Sequence, residues 1–291
     1  MLKQCVRSVS TLLRAARMAR KPLEALTAPF KVDAAKKAAF LRQASSVRVL
    51  VLGSSHAYNG YLASAGEFNY GLRNCDLYHA AHLFRRMSEA RLLSALETVI
   101  VFYDVFSPGF VMEKTSRGSL AIAYRYLWDI EYQAPLRIDH RVIERRTAGA
   151  FAALEAAAAR DGEYRGNADY ARGTKPPPPT GPRVAAHLKH NRRADDQTRH
   201  LELIHSRCCQ IGVRMVVVIA PVRSDYLDLL PVPRRNLFAR LDAFCAPRDI
   251  EVLDFTGSGD FSDSDFLDSD HLSREGAEKL TLSIRQRLGL A

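Results

Sequence analysis

Three stretches of this chain are almost continuously apolar and then stop: VRVLVL at residues 47–52, TVIVFY at 98–103 and VRMVVVIA at 213–220. Runs this short, with almost no polar alternation, predict β-strands buried on both faces. Two weaker strands are expected at residues 67–71 and 250–254. Apolar positions recur at helical spacing over residues 77–95, 192–210 and 234–245, and over most of 119–159, which ends in the alanine-rich FAALEAAAA. A last helix is expected after Ser273, a good N-cap, with Glu275 and Glu278 in its first turns. Residues 161–183 lose all periodicity and contain PPPP at 176–179, a loop stiffened locally as polyproline II. Strands alternating with helices predict an α/β fold, a parallel sheet covered on both sides. One domain over residues 46–291 is expected, preceded by an arm of residues 1–45. In such sheets ligands sit beyond the carboxyl ends of the strands. Residues 54–56, 69–76, 104–107, 221–226 and 268–271 are expected to meet at that rim.

Charge separates the arm from the rest. The net charge is +10, but residues 1–50 hold eleven Lys or Arg against two acids, a balance of +9 that leaves about +1 for the remainder. The basic character therefore says little about a substrate. Within the arm, Val6, Val9, Leu12, Leu13 and Ala16 alternate with Arg7, Arg14, Arg17 and Arg20 at helical spacing. A solvated or partner-covering helix, a peripheral membrane contact and a transit segment all fit that pattern, whereas a membrane span does not. Nucleic-acid binding is not expected from a nearly neutral remainder without a recognised motif, and removing the arm should leave any enzymatic turnover intact. The five cysteines (Cys5, Cys75, Cys208, Cys209 and Cys245) are odd in number and irregularly spaced, as in a reducing, cytoplasmic compartment.

Candidate chemistry lies at the two ends of the sheet region. The first strand stops at Gly53 and hands over to Ser54, Ser55 and His56. A serine there is exposed at a strand-to-helix turn, where backbone N–H groups can face an oxyanion, although the turn is not the G-x-S-x-G elbow. Near the C-terminus Asp268 precedes His271 by three residues, with Asp270 a competitor as the carboxylate partner. Ser55 as nucleophile, His271 as general base and Asp268 as its orienting acid make a Ser–His–Asp site if the fold joins them. His56 can assist at the rim or serve the turn. Cys75 reads as a buried thiol. The acidic run 260–270 lacks the glycine and glutamate of an EF-hand, and His187, His190, His200 and His205 lack acidic or cysteine partners at ligand spacing, so no metal is expected. Tyr124, Tyr126 and Trp128 fit a sugar-stacking floor or helix-to-sheet packing. No nucleotide or phosphate-loop fingerprint is present and no cofactor is expected.

Taken together, VLVLGSSH, NYGLRNCDLYH and DSDHLSREGAEKL resemble the first, second and last blocks of the SGNH (GDSL-like) hydrolase superfamily. More narrowly the chain is similar to an SGNH-like group found with bacterial surface-polysaccharide genes. That group reads Gly-Ser-Ser-His, with an aromatic-rich strand ending near a serine, here VIVFYDVFS, and an apolar strand ending in proline, here VVVIAPVRSDY. The likeness runs from residue 47 to the C-terminus and omits the proline-rich loop. It implies a three-layer α/β/α fold with a flavodoxin-like parallel sheet, and ester chemistry by Ser55, His271 and Asp268. The oxyanion-hole glycine of the second block falls at about Asn74. The third-block asparagine is absent from residues 103–107, where Ser107, Asn74 or Arg73 would have to substitute. One lost oxyanion donor costs about 10²–10³ in rate. The resemblance alone implies an esterase or O-acyltransferase acting on an acylated carbohydrate, with acetyl as the acyl group. The other reading is a non-catalytic glycan-binding or assembly module of polysaccharide biosynthesis.

Overall fold

The computed structural model of the chain describes residues 2–161, 179–191, 196–231 and 233–290. It opens with helices α1 (Leu2–Arg20) and α2 (Leu23–Gln43). Then come β1 (Val49–Leu52), α3 (Ser55–Gly60), β2 (Glu67–Asn69), α4 (Leu77–Glu89) and β3 (Thr98–Phe102). Three helices follow, α5 (Ala121–Trp128), α6 (Ile138–Thr147) and α7 (Phe151–Asp161). The remainder comprises α8 (Thr180–Asn191), α9 (Leu201–Ile211), β4 (Arg214–Ile219), α10 (Ser224–Asp228), α11 (Arg234–Leu237), α12 (Ala239–Cys245), β5 (Glu251–Asp254) and α13 (Arg274–Leu288).

Contacts gather these elements into two compact units: Met1–Gln43 with Val111–Tyr164, and Ala44–Phe110 with Arg165–Ala291. The second unit carries the sheet. Its five strands run parallel in the order β2-β1-β3-β4-β5, the flavodoxin-like order. Every residue of β1 and β3 is buried, as their unbroken apolar runs require. Side chains alternate across the sheet. Val49, Val51, Ile100, Phe102, Val216, Val218 and Leu253 face one way and pack with Ala57 of α3 and Ala277, Leu280 and Ile284 of α13. Leu50, Leu52, Val99, Val101 and Val217 are buried on the opposite face, where α9 contacts β4 and α4. The result is the expected three-layer α/β/α arrangement.

Two boundaries differ from the sequence expectation. The helix expected over 192–210 is preceded by a separate helix, α8, and its regular part starts only at Leu201. The helix expected over 234–245 is broken at Phe238, which is buried and edge-on to Tyr103. Residues 162–178, with most of the proline run, lie outside the described residues.

The first unit is helical. Here α1 contacts α6, while α2 contacts α5, α6 and α7. Phe30 of α2 packs on Phe151 at 5.2 Å between ring centroids, and Phe40 lies 6.2 Å from Trp128. The Lys37 ammonium bonds the Leu127 carbonyl and Glu155. Residues 1–45 were expected to stand apart as an arm; the contacts instead join Met1–Gln43 to Val111–Tyr164, because Leu26, Phe30, Ala34 and Phe40 are buried. Tyr126 stacks on Phe151 at 4.9 Å and Trp128 packs near Phe40, so these two rings take part in helix-to-helix packing. No described helix is long and apolar enough to cross a membrane.

Candidate active site

The tip of β1 is shaped by backbone geometry. Gly53 has φ +142°, and a Cβ there would stand 2.8 Å from Phe102 Cβ, so only glycine ends this strand. Ser54 is the N-cap of α3: its Oγ accepts the His56 N–H at 3.2 Å and donates to Asp104 Oδ2 at 2.5 Å. Ser55 is thereby the first residue of α3 and is half-buried. Asn69, at the end of β2, ties the far end of that helix down through Nδ2 bonds to the carbonyls of Ala57 and Tyr61, both 2.7 Å.

The other half comes from the loop before α13. Asp268 Oδ1 accepts the backbone N–H groups of Asp270 (3.1 Å) and His271 (2.8 Å), while Oδ2 lies 2.9 Å from His271 Nδ1. One carboxylate thus closes the turn with one oxygen and holds the imidazole with the other, which is what the three-residue spacing permits. Ser273 caps α13 by accepting the Gly276 N–H at 3.2 Å. Gly276 itself must lack a side chain, because a Cβ would stand 2.1 Å from the Asp265 carbonyl oxygen. The outcome is a hydrogen-bonded line: His271 Nε2 is 2.8 Å from Ser55 Oγ, with Asp268 on the far nitrogen. Burial alone would raise the Asp268 pKa, but the bond from His271 holds it below the usual carboxylate value.

Asp270 does not compete for His271 Nδ1. It is buried and faces His56 Nε2 at 3.0 Å, while His56 Nδ1 lies 3.0 Å from Asp104 Oδ1. Burial opposes charge on His56, yet the two carboxylates outweigh it and raise its pKa to about 10. The His56 ring stacks on His271, with centroids 5.0 Å apart and planes 17° from parallel. Arg183, on α8, also bonds Asp270, its Nη2 at 3.0 Å from Oδ2 and its Nε on Oδ1. The same Nη2 lies 3.1 and 3.4 Å from the two ring nitrogens of His271. No in-plane hydrogen bond reaches both nitrogens, so the guanidinium lies against the ring face. His187 places Nδ1 2.9 Å from the Tyr226 hydroxyl, and burial lowers its pKa to about 4.

The remaining sequence candidates are elsewhere or already committed. Ser107 Oγ accepts the Asp104 N–H at 2.8 Å, which fixes the turn after β3. Arg73 is exposed, its guanidinium 5.1 Å from the Tyr58 ring centroid, and Asn74 is half-buried with φ +59°. Among the described residues neither bonds Ser55 or His271. His56 has both nitrogens on carboxylates and so is not a donor to substrate. Cys75 is buried, its thiol directed at the Asp76 carbonyl at 3.4 Å. The ligand atoms of His56, Asp270 and His271 lie within 4.8 Å of one another, close enough for a cation. A His56 that donates from both nitrogens has no lone pair for a metal, so the trio as arranged satisfies itself. Sequence reasoning missed two contributors. Asp104 belongs to the 104–107 segment expected at the rim but was given no role there; Arg183 sits where the chain had lost all periodicity, and nothing signalled it.

No family model and no curated protein matches the chain. Among solved structures it is similar to a candidate acylhydrolase from Bacteroides fragilis, at 14% identity over 86% of this chain and 94% of that one, with a TM-score of 0.39. A likeness that distant carries nothing about chemistry.

Proposed function

We propose that the protein is a serine-dependent acyl-transfer enzyme acting on esters. The observation that carries this reading is the 2.8 Å contact between Ser55 Oγ and His271 Nε2, in line with Asp268 on Nδ1. With Nδ1–H donating to Asp268, Nε2 is left to accept the Ser55 proton. As that proton moves to Nε2, Oγ bonds the acyl carbon. When the tetrahedral intermediate collapses, the alkoxide leaves with the proton from Nε2, and an acyl-Ser55 remains. A hydroxyl then attacks the acyl carbon, gives its proton to Nε2 and releases Ser55. Water in that step makes the protein an esterase and a sugar hydroxyl makes it an O-acyltransferase. The Ser55 N–H, which as the first of α3 has no intrahelical acceptor, and Asn74 are the proposed oxyanion donors. The resemblance to the SGNH superfamily, and to its surface-polysaccharide group, favours O-acetylated carbohydrate as substrate.

The test is a chromogenic acetyl ester with a stopped-flow readout, joined to intact-mass labelling by a fluorophosphonate. A burst and a single adduct mapped to Ser55 are expected, both lost in Ser55→Ala. Adding an oligosaccharide acceptor distinguishes transfer from hydrolysis by the product formed. A non-catalytic glycan-binding module is the second reading. It is favoured by the commitment of the Ser107 hydroxyl to Asp104 and by the lack of an asparagine in residues 103–107. Glycan binding without any burst or adduct would select it.

A further inference from the structure

Resting on the acyl-transfer reading above, we propose that His56, clamped between Asp104 and Asp270 and stacked on His271, is a positioning residue that holds the catalytic imidazole in register with Ser55. Hydrogen-bond logic fixes its charge state. Nε2 bonds Asp270 Oδ2 at 3.0 Å, while Nδ1 faces Asp104 Oδ1 at 3.0 Å and Ser54 Oγ at 3.3 Å. Ser54 gives its own proton to Asp104, so no donor is left for Nδ1; both ring nitrogens carry hydrogen and the ring is an imidazolium. The clamp is rigid on each side. Asp104 is also held by the Ser54 hydroxyl at 2.5 Å, and its N–H by Ser107 at 2.8 Å. Asp270 is also held by Arg183 at 3.0 Å. His56 and Asp104 are each 5% exposed at the side chain and Asp270 1%, so little water competes for these bonds. A ring that cannot rotate offers a fixed face to its neighbour, and the His271 ring lies against it at 5.0 Å.

The clamp also sets the local charge. Asp104, Asp268 and Asp270 oppose His56 and Arg183, which leaves one net negative charge while His271 is neutral. When His271 takes the serine proton, the carboxylates are balanced by its new positive charge and the negative charge passes to the Ser55 oxygen and on to the acyl oxyanion. Fixed charges in a site shielded from water act with little reorganisation, so the cluster favours the state in which Ser55 is deprotonated. This gives His56 a task distinct from both that the sequence offered, assistance at the rim and service to the turn. Its two donors point into the protein and its ring face points at the base.

The test uses the full chain with His56→Gln, which keeps a polar group of similar length without the ring or the charge. Two quantities are read: the rate at which a fluorophosphonate modifies Ser55, followed by intact mass, and the kcat and KM for a chromogenic acetyl ester. Misplacement of a base by about an ångström costs roughly 10²-fold, so labelling and kcat are expected to fall by that order while KM stays put. Asp104→Asn is the second variant, used as well in case His56→Gln does not fold, with the same expectation. Combining the two should cost no more than the larger single effect, since both break one clamp. A folded variant labelled at the wild-type rate overturns the inference and leaves the acyl-transfer reading standing. Wild-type protein that takes no label at Ser55 overturns both.

Discussion

Two adjacent serines at the tip of β1 divide their labour. Ser54 spends its hydroxyl on Asp104 and its acceptor capacity on the His56 N–H, and it is almost fully buried. Ser55 keeps its hydroxyl for His271. Ser54→Ala should therefore lower stability by about 1–3 kcal/mol, for a lost cap and a buried carboxylate short of a donor, and leave an adduct still forming at Ser55. Ser55→Ala should do the reverse: an unchanged melting temperature and no adduct. Asp268→Asn removes the acceptor that fixes the His271 tautomer and should cut ester turnover by a factor on the order of 10⁴ with the protein still folded. The His56 clamp predicts how stability depends on pH. The folded pKa of His56, about 10, exceeds its ordinary 6.5, so its contribution is complete below pH 6.5 and lost as pH rises toward 10. Asp270 lies well below its ordinary 3.8, so its contribution is complete above about that pH and lost on acidification. His187, held at about 4 by burial, works the other way and costs stability as pH falls below 6.5. Melting temperature should therefore peak near pH 6.5, and His56→Gln should flatten the alkaline limb. A wild-type melting curve that instead rises from pH 7 to 9 would contradict this.

At the scale of elements, each half of the site depends on a close approach that only glycine allows. Gly53 brings the end of β1 against Phe102 of β3, and Gly276 brings the first turn of α13 against the Asp265 carbonyl. Neither contact involves a group of the hydrogen-bonded line itself. Gly276→Ala must push α13 away from residue 265, and with it the loop that carries His271. A loss of about 1–3 kcal/mol is expected, accompanied by slower labelling of Ser55. Ser273→Ala, which loses only the cap, should cost about 1 kcal/mol and leave the labelling rate near the wild-type value. Thermal melts and the labelling assay on the same pair of variants check both statements.

For the molecule as a whole, the N-terminal helices are not an appendage that can be removed. Phe30 and Phe40 are buried, and Phe151 and Trp128 are their neighbours. A chain lacking residues 1–43 would uncover those aromatic faces within the first unit, and it should aggregate on size-exclusion chromatography rather than turn over ester normally. Part of α1 remains outward-facing: Val9, Leu12 and Leu13 are more than half exposed, beside Arg14 and Arg17. An amphipathic, arginine-edged face of this kind suits the surface of an anionic bilayer. Co-sedimentation with phosphatidylglycerol vesicles, reduced by Leu12→Glu with Leu13→Glu, is the expected outcome; equal binding to neutral phosphatidylcholine would contradict it.

The sequence by itself determined what is local. Nearly continuous apolar runs marked three of the five strands, because a strand buried on both faces admits a polar residue only at its end, as Thr98 and Arg214 stand in β3 and β4. The Gly-Ser-Ser turn and the Asp-x-x-His turn were legible because each closes its own hydrogen bonds within a few residues. Helix boundaries in 192–210 and 234–245 were misjudged where a buried Phe238 or a separate α8 interrupted the pattern. Only the tertiary structure decided which carboxylate serves which imidazole. The sequence favoured Asp268 over its competitor Asp270 for His271 but gave Asp270 no other task; Asp268 reaches His271 by turning locally, while Asp270 reaches His56, 214 residues away in the chain. The sequence places Asp104 at the rim without giving it a task and says nothing of Arg183, because their partners are supplied by distant segments that meet only when the sheet has formed.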